Sequence, residues 1–196
     1  MKHSEPVVGR AAPLWRADVD TDQIIPKQFL KRIERTGYGE FLFYDWRRAD
    51  PGFVLDRPEH RGAKILVAGP NFGCGSSREH AVWAIQQAGF DAVIAPFFAD
   101  IFRSNCRQSG LLAVTLPEAE VKALAELLAV QPEAEVTVDL EAQVVTWPGR
   151  EIEFDIDPFT RECLLNGWDD VGLVLRQADA IAAYERRRSE LLPQAL

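Results

Sequence analysis

Two hydrophobic patterns divide the chain. From Lys64 to Leu116 the apolar residues come in short unbroken runs, KILVAG (64–69), DAVIA (91–95) and LLAVTL (111–116), each bounded by turn residues. Unbroken runs of this length predict strands buried on both faces. Between them lie helical stripes: Ala81, Ala84, Ile85 and Ala88 at i, i+3, i+4 and i+7 before Gly89, and a helix over Phe98 to Arg107 that ends at Gly110. A further helix opens at Pro117, with Glu118 and Glu120 in its first turn and Val121, Leu124 and Leu128 on one face. Strands alternating with helices predict a parallel sheet with right-handed crossovers.

The period then changes. Glu135 to Leu140, Val144 to Trp147 and Glu151 to Ile156 alternate apolar with polar residues, with Gly149 in a turn, which predicts an antiparallel pair or meander. Pro158 to Asn166 and Asp170 to Arg188 close the chain as helices, with Ile181 and Tyr184 on one stripe of the last. Near the start, Gln28 to Arg35 predicts a short helix broken by Thr36 to Gly39; Glu40 to Pro58 is rich in aromatics but has no clear period. No repeat, low-complexity stretch or linker interrupts the chain. The prediction is one α/β domain over residues 1–196, with a parallel sheet, an antiparallel sheet and flanking helices.

Composition narrows the function. A chain of 196 residues with 47% hydrophobic and 27% charged residues can bury a real core. Its net charge of −8, with no basic block, argues against a nucleic-acid or anionic-membrane binder. No apolar run reaches the roughly 18 residues of a membrane span and the start lacks a signal-peptide core, so a cytoplasmic protein is expected. Cys74, Cys106 and Cys163 are widely spaced, without the C-x-x-C runs of a cluster, and are expected as free thiols.

The chemistry concentrates in Asn71 to Ala84, NFGCGSSREHAVWA. Ser76 and Glu79 have the spacing of a capping box, placing Ser76 at the N-cap of the following helix. The unpaired amides and dipole of a first helical turn favour an oxyanion, carboxylate or phosphate there. A plain structural role, Ser76 as cap and Arg78 as a solvated residue, fits these residues as well. In Asp18, Asp20 and Asp22 a calcium loop fails, because Gln23 and Phe29 stand where glycine and glutamate are needed; the aspartates suit local turn hydrogen bonds. His80, one turn into the helix, suits loop stabilisation better than titration in catalysis. Cys74 between glycines lacks the G-x-S-x-G order of a nucleophile elbow, and the loop lacks both a G-K-[ST] ending and the third glycine of a dinucleotide fingerprint.

Three separated motifs in order, VDTDQIIP (19–26), NFGCGSSREH (71–80) and FADIFRSNCRQSGLL (98–112), resemble the small subunit of 3-isopropylmalate dehydratase, a relative of the C-terminal swivelling domain of aconitase. The resemblance continues through residues 24–47, NGWDDVGLVL and DAIAAYE, and so covers almost the whole chain. It implies a three-layer β/β/α swivelling domain and a lyase of leucine biosynthesis. That enzyme isomerises 2-isopropylmalate to 3-isopropylmalate through isopropylmaleate. It further implies a cluster-bearing large subunit as partner in a heteromer, a [4Fe-4S] cluster on that subunit, no cofactor or metal on this chain, and inactivity of this chain alone. Matched by motif, Ser76 is the catalytic base, acting as an alkoxide. Ser77 and Arg78 bind substrate carboxylate, with Thr21 and Asp22 at the substrate. Leu30, Lys31 and Ile33 belong to the loop that meets the substrate side chain. Lys31, Arg32 and Arg35 keep homoaconitate or citraconate-type substrates open, and Arg103 and Asn105 suit either the site or helix packing. The loops 30–39 and 71–77 are expected to be disordered without the partner.

Overall fold

In the computed structural model the described residues are 3–31, 34–76 and 78–187. Seven strands form one sheet in the order β4-β3-β2-β1-β5-β6-β7. Four of them, β1 (Val7–Leu14), β2 (Ile65–Ala68), β3 (Ala92–Ala95) and β4 (Leu112–Thr115), run parallel. β5 (Glu135–Asp139), β6 (Val144–Trp147) and β7 (Arg150–Glu153) are antiparallel, with β5 paired to the other side of β1.

The shared strand β1 joins the two predicted sheets. Val7–Arg10 register with β5, and Ala11–Leu14 register with β2. Pro13, which has no N–H to give, therefore lies where β1 has parted from β5, a position that tolerates the missing ladder bond.

Two cores sandwich the parallel strands. Alternate residues Ala12, Leu14, Leu66, Ala68, Val93 and Ala95 face α1 (Thr21–Ile24), α2 (Tyr44–Ala49), α3 (Glu79–Gln87) and α4 (Asp100–Ser109). Their neighbours Ala11, Ile65, Val67, Ala92 and Ile94 face α5 (Glu118–Val130) and the buried side of β5 and β6. The layers are thus helix, parallel strands and antiparallel strands. Three helices complete the order, α6 (Pro158–Asn166), α7 (Asp170–Leu175) and α8 (Ala178–Arg187).

Local differences from the sequence reading have physical causes. The helix expected over Gln28 to Arg35 is a 3-10 turn, Lys27–Lys31, and residues 34–38 are not helical; Arg32 and Ile33 lie outside the described residues. The aromatic segment 40–58 forms α2 and 3-10 turns whose rings pack at home: Phe29 stacks on Phe41 at 3.9 Å and Phe43 on Trp46 at 5.3 Å. The closing helix breaks between α7 and α8 at Arg176 and Gln177, and Arg188 lies outside the described residues.

Candidate active site

Where β1 and β2 end, their chains continue side by side. Gly73 and Cys74 donate backbone hydrogen bonds to the Val19 carbonyl at 2.8 and 3.2 Å, and Thr21 N–H donates to the Cys74 carbonyl at 3.0 Å. Asp18 and Asn71 both adopt left-handed backbone, with φ of 54° and 59°, which Asp and Asn tolerate better than most residues. Their side chains join, Asn71 Nδ2 donating to Asp18 Oδ1 at 2.7 Å, and Asp18 N–H donates to the Pro70 carbonyl. The first and second motifs, about fifty residues apart in sequence, are thereby fastened together at the carboxyl ends of parallel strands, the position at which α/β sheets bind ligands. This knitting of residues 71–74 replaces the disorder expected there.

The third motif braces them from below. Phe72 and Phe98 form a β-bridge, and Phe72, Phe98 and Phe102 cluster with centroids 5.5–6.4 Å apart. A Cβ on Gly73 would overlap the buried Phe102 ring, so the glycine lets the loop lie directly on α4.

The expected capping box is absent. Helix α3 starts at Glu79, its N-cap is Arg78, and among the described residues no side chain caps it. Arg78 itself is extended, at φ −128° and ψ 133°, and Ser76 lies two residues before it in sequence, exposed, with its role as N-cap removed. The S-x-x-E spacing is satisfied in sequence but not in geometry. The real capping box is at α1. There Asp20 Oδ1 accepts from Gln23 N–H at 2.7 Å, and Gln23 Oε1 accepts from Asp20 N–H at 2.9 Å.

Arg78 is held by Asp22. The guanidinium Nη1 donates to Asp22 Oδ1, and Lys27 Nζ lies 3.3 Å from Asp22 Oδ2. Two cations share one carboxylate, on a chain whose total charge is −8. Asp22 points at Arg78 as an orienting partner, whereas Asp18 and Asp20 are taken up by local hydrogen bonds.

The other expected site residues are distributed around this pair. Thr21 is fully buried, beneath the loop and not on its surface, and its hydroxyl has no partner among the described residues. Leu30 is partly buried against the first core, and Lys31 is exposed. Ser77 and Ile33 lie outside the described residues. Cys74 is no activated nucleophile: burial, then Asp20 and Asp18, push its thiol above the ordinary range. His80 is held below the usual imidazole range by burial, and its ring packs edge-on to Tyr38 at 5.4 Å and against Trp83 at 4.8 Å. Arg103 is exposed on α4 and lines a 670 Å³ groove with Pro70 and Phe97, while Asn105 is half-buried on the same helix. Among the described residues, no group of three His, Cys, Asp or Glu side chains could hold a metal ion. Lys27, which completes the charge cluster, was missed in sequence because it precedes the helix expected from Gln28 and belongs to no pattern.

This geometry has close relatives. A model of the aconitase C-terminal domain matches residues 1–119, the model LeuD_N matches residues 122–158, and a model of the C-terminal domain of the 3-isopropylmalate dehydratase small subunit matches residues 170–193. Residues 1–119, which hold the parallel strands with α3 and α4, belong to the aconitase C-terminal domain class. The 3-isopropylmalate dehydratase small subunit of Rubrobacter xylanophilus is 59% identical over 97% of both chains, and that of Bacillus licheniformis is 55% identical over 94% of this chain and 95% of its own. A crystal structure of 3-isopropylmalate dehydratase from Methanocaldococcus jannaschii superposes with a TM-score of 0.68 at 30% identity, covering 92% of this chain and 99% of that one. The chain belongs to the family of 3-isopropylmalate dehydratase small subunits.

Proposed function

We propose that this chain is the small subunit of a 3-isopropylmalate dehydratase, acting in leucine biosynthesis as one swivel-like domain of a cytoplasmic heteromer with a large subunit. The observation that carries the reading is Ser76, exposed and not spent on capping, two residues from an arginine whose direction is set by Asp22. The whole chain aligns with relatives bearing that name. Among the described residues no helix is long and apolar enough to cross a membrane.

The substrate is a hydroxy-dicarboxylate. Arg78 receives one carboxylate through paired hydrogen bonds, with Ser77 beside it. Asp22 fixes the guanidinium in place, and Lys27 offsets the repulsion between Asp22 and the incoming anion. Ser76, as alkoxide, removes the proton from the carbon next to that carboxylate while the hydroxyl leaves the adjacent carbon, giving isopropylmaleate. Water then adds with the opposite regiochemistry. We assign the [4Fe-4S] cluster, and the Lewis-acid handling of the leaving hydroxyl that it supplies, to the large subunit.

Energetics explain why a partner is needed. Lowering a serine pKa by several units requires about 1.4 kcal/mol per unit. A helix terminus supplies at most about 2 kcal/mol, and α3 begins beyond Ser76. Arg78, loop amides and a site closed to water by the large subunit supply the rest.

The test is Ser76→Ala in the assembled enzyme. Activity on 2-isopropylmalate should fall about 10³-fold with assembly intact; unchanged activity would remove Ser76 as the base.

A further inference from the structure

Strands β1 and β2 keep their register beyond the sheet. Leu14 and Ala68 are the last partners of the two strands, and Asp20 pairs with Cys74 in an isolated parallel bridge. Five residues intervene on each chain, so the offset is the same on both sides of the gap. Within the gap each chain kinks through a left-handed residue other than glycine, Asp18 at φ 54° and Asn71 at φ 59°. The chains touch there. A Cβ on Gly69 would overlap the Arg16 carbonyl, and Asp18 N–H donates to the Pro70 carbonyl at 3.0 Å.

The Asn71 side chain closes this pair of kinks. Its Nδ2 donates to Asp18 Oδ1 at 2.7 Å, and the amide direction is forced because the carboxylate can only accept. Left-handed backbone is unfavourable for both residues, and such strain persists only where the surroundings hold it. Two kinks of the same hand, bonded to each other, let both chains turn without slipping past one another. A kink in one chain alone would put the later pairs out of step. The contact lies at the surface, where one hydrogen bond adds little to stability, so its consequence is geometric.

We infer that Asp18 and Asn71 are positioning residues for the proton transfer: the latch between their side chains sets the chain bearing Ser76 against the chain bearing Asp22. The inference rests on the proposed function for the roles of Ser76 and Arg78. Backbone rungs carry the register forward from the latch. Gly73 and Cys74 donate to the Val19 carbonyl and Thr21 N–H to that of Cys74, with Val19 and Thr21 fully buried. The long Arg78 side chain is tied to Asp22 and follows it, whereas the short Ser76 side chain goes where its own backbone goes. A slip between the chains therefore leaves the carboxylate-binding pair intact and moves the base away from the substrate carbon. A displacement of about 1 Å is enough to cost as much as about 10²-fold in rate.

Exchanging the two side chains tests the latch. Asn71→Asp removes the donor and sets one carboxylate against another; adding Asp18→Asn restores the bond with donor and acceptor interchanged. In the enzyme assembled with the large subunit, Asn71→Asp should lower kcat on 2-isopropylmalate about 30-fold with KM changed less than about threefold, and the double variant should recover to within about threefold of wild type. In the full free chain, exchange of the Gly73 and Cys74 amides should quicken about tenfold in Asn71→Asp and return to the wild-type rate in the double variant. Unchanged amide exchange in Asn71→Asp, an unchanged kcat, a loss confined to KM, or a loss that the double variant does not repair overturns the latch. Should Asn71→Asp fail to fold, Asn71→Gly, which adopts left-handed backbone freely and lacks the amide, takes its place with the same expected losses. A wild-type complex inactive on 2-isopropylmalate, or Ser76→Ala with activity unchanged, counts against the proposed function alone, and the amide exchange then decides the latch.

Discussion

The parallel and antiparallel halves of the sheet use their residues differently. Strands β2 and β3 are buried at every position, so the whole of each strand is committed to packing and chemistry is left to the loops at their carboxyl ends. Strands β5 and β6 alternate buried with accessible residues, and β7 is largely exposed. The site hangs entirely on the first half: the loop after β2, the segment after β1, and α4 beneath both. Stability and activity should therefore be coupled in the parallel half and separable in the antiparallel half.

The sharpest way to break that comparison is Phe102→Ala. The ring is buried and Gly73 lies directly on it, so the cavity should cost about 3–5 kcal/mol by denaturant unfolding. The folded fraction should also lose kcat, because the loop loses its floor; a purely thermodynamic loss would show the halves to be alike.

Arg78→Lys comes next. A lysine keeps the charge but not the planar fork that addresses Asp22 and a substrate carboxylate together, so kcat/KM of the assembled enzyme should drop about 100-fold with melting temperature nearly constant. A tenfold or smaller loss would reduce Arg78 to a point charge.

Val145→Ala probes the other half. Losing two buried methyl groups at about 0.8 kcal/mol each should cost roughly 2 kcal/mol with kcat unchanged. A matching fall in kcat would extend the site's support into the antiparallel strands.

The smallest effect is with pH. His3, His60 and His80 are all held below the ordinary imidazole value of 6.5, chiefly by burial. The unfolded chain then binds protons more readily, so the stability is fully present above pH 6.5 and is lost as pH falls toward the folded values. Melting temperature should decline from pH 7.5 to 5.5, and His3→Gln should flatten the decline, because His3 is buried with Nε2 2.9 Å from the Gly110 carbonyl.

Legibility followed the same division. The buried runs of β2, β3 and β4 and the alternation of β5 and β6 were plain, because burial on two faces or one leaves a direct imprint on composition. Strand β1 was not, since Arg10, Ala11, Ala12 and Pro13 show neither pattern, although β1 joins the halves. The start of α3 was misplaced because S-x-x-E records spacing alone, and the helix begins only after an extended Arg78. Ser76 and Arg78 were singled out by their motif. The Arg78–Asp22 pair spans 56 residues, and nothing local announces it. Lys27 went unremarked, since an ion pair between two side chains leaves no period.

The central claim, a site completed only by a second subunit, is tested most directly by isopropylmaleate hydration. The rate is measured for this chain alone, for an anaerobically prepared cluster-bearing large subunit alone, and for the two mixed. Activity in the mixture only is the predicted result. Hydration by this chain alone, or none from a complex shown to have formed, would contradict the account.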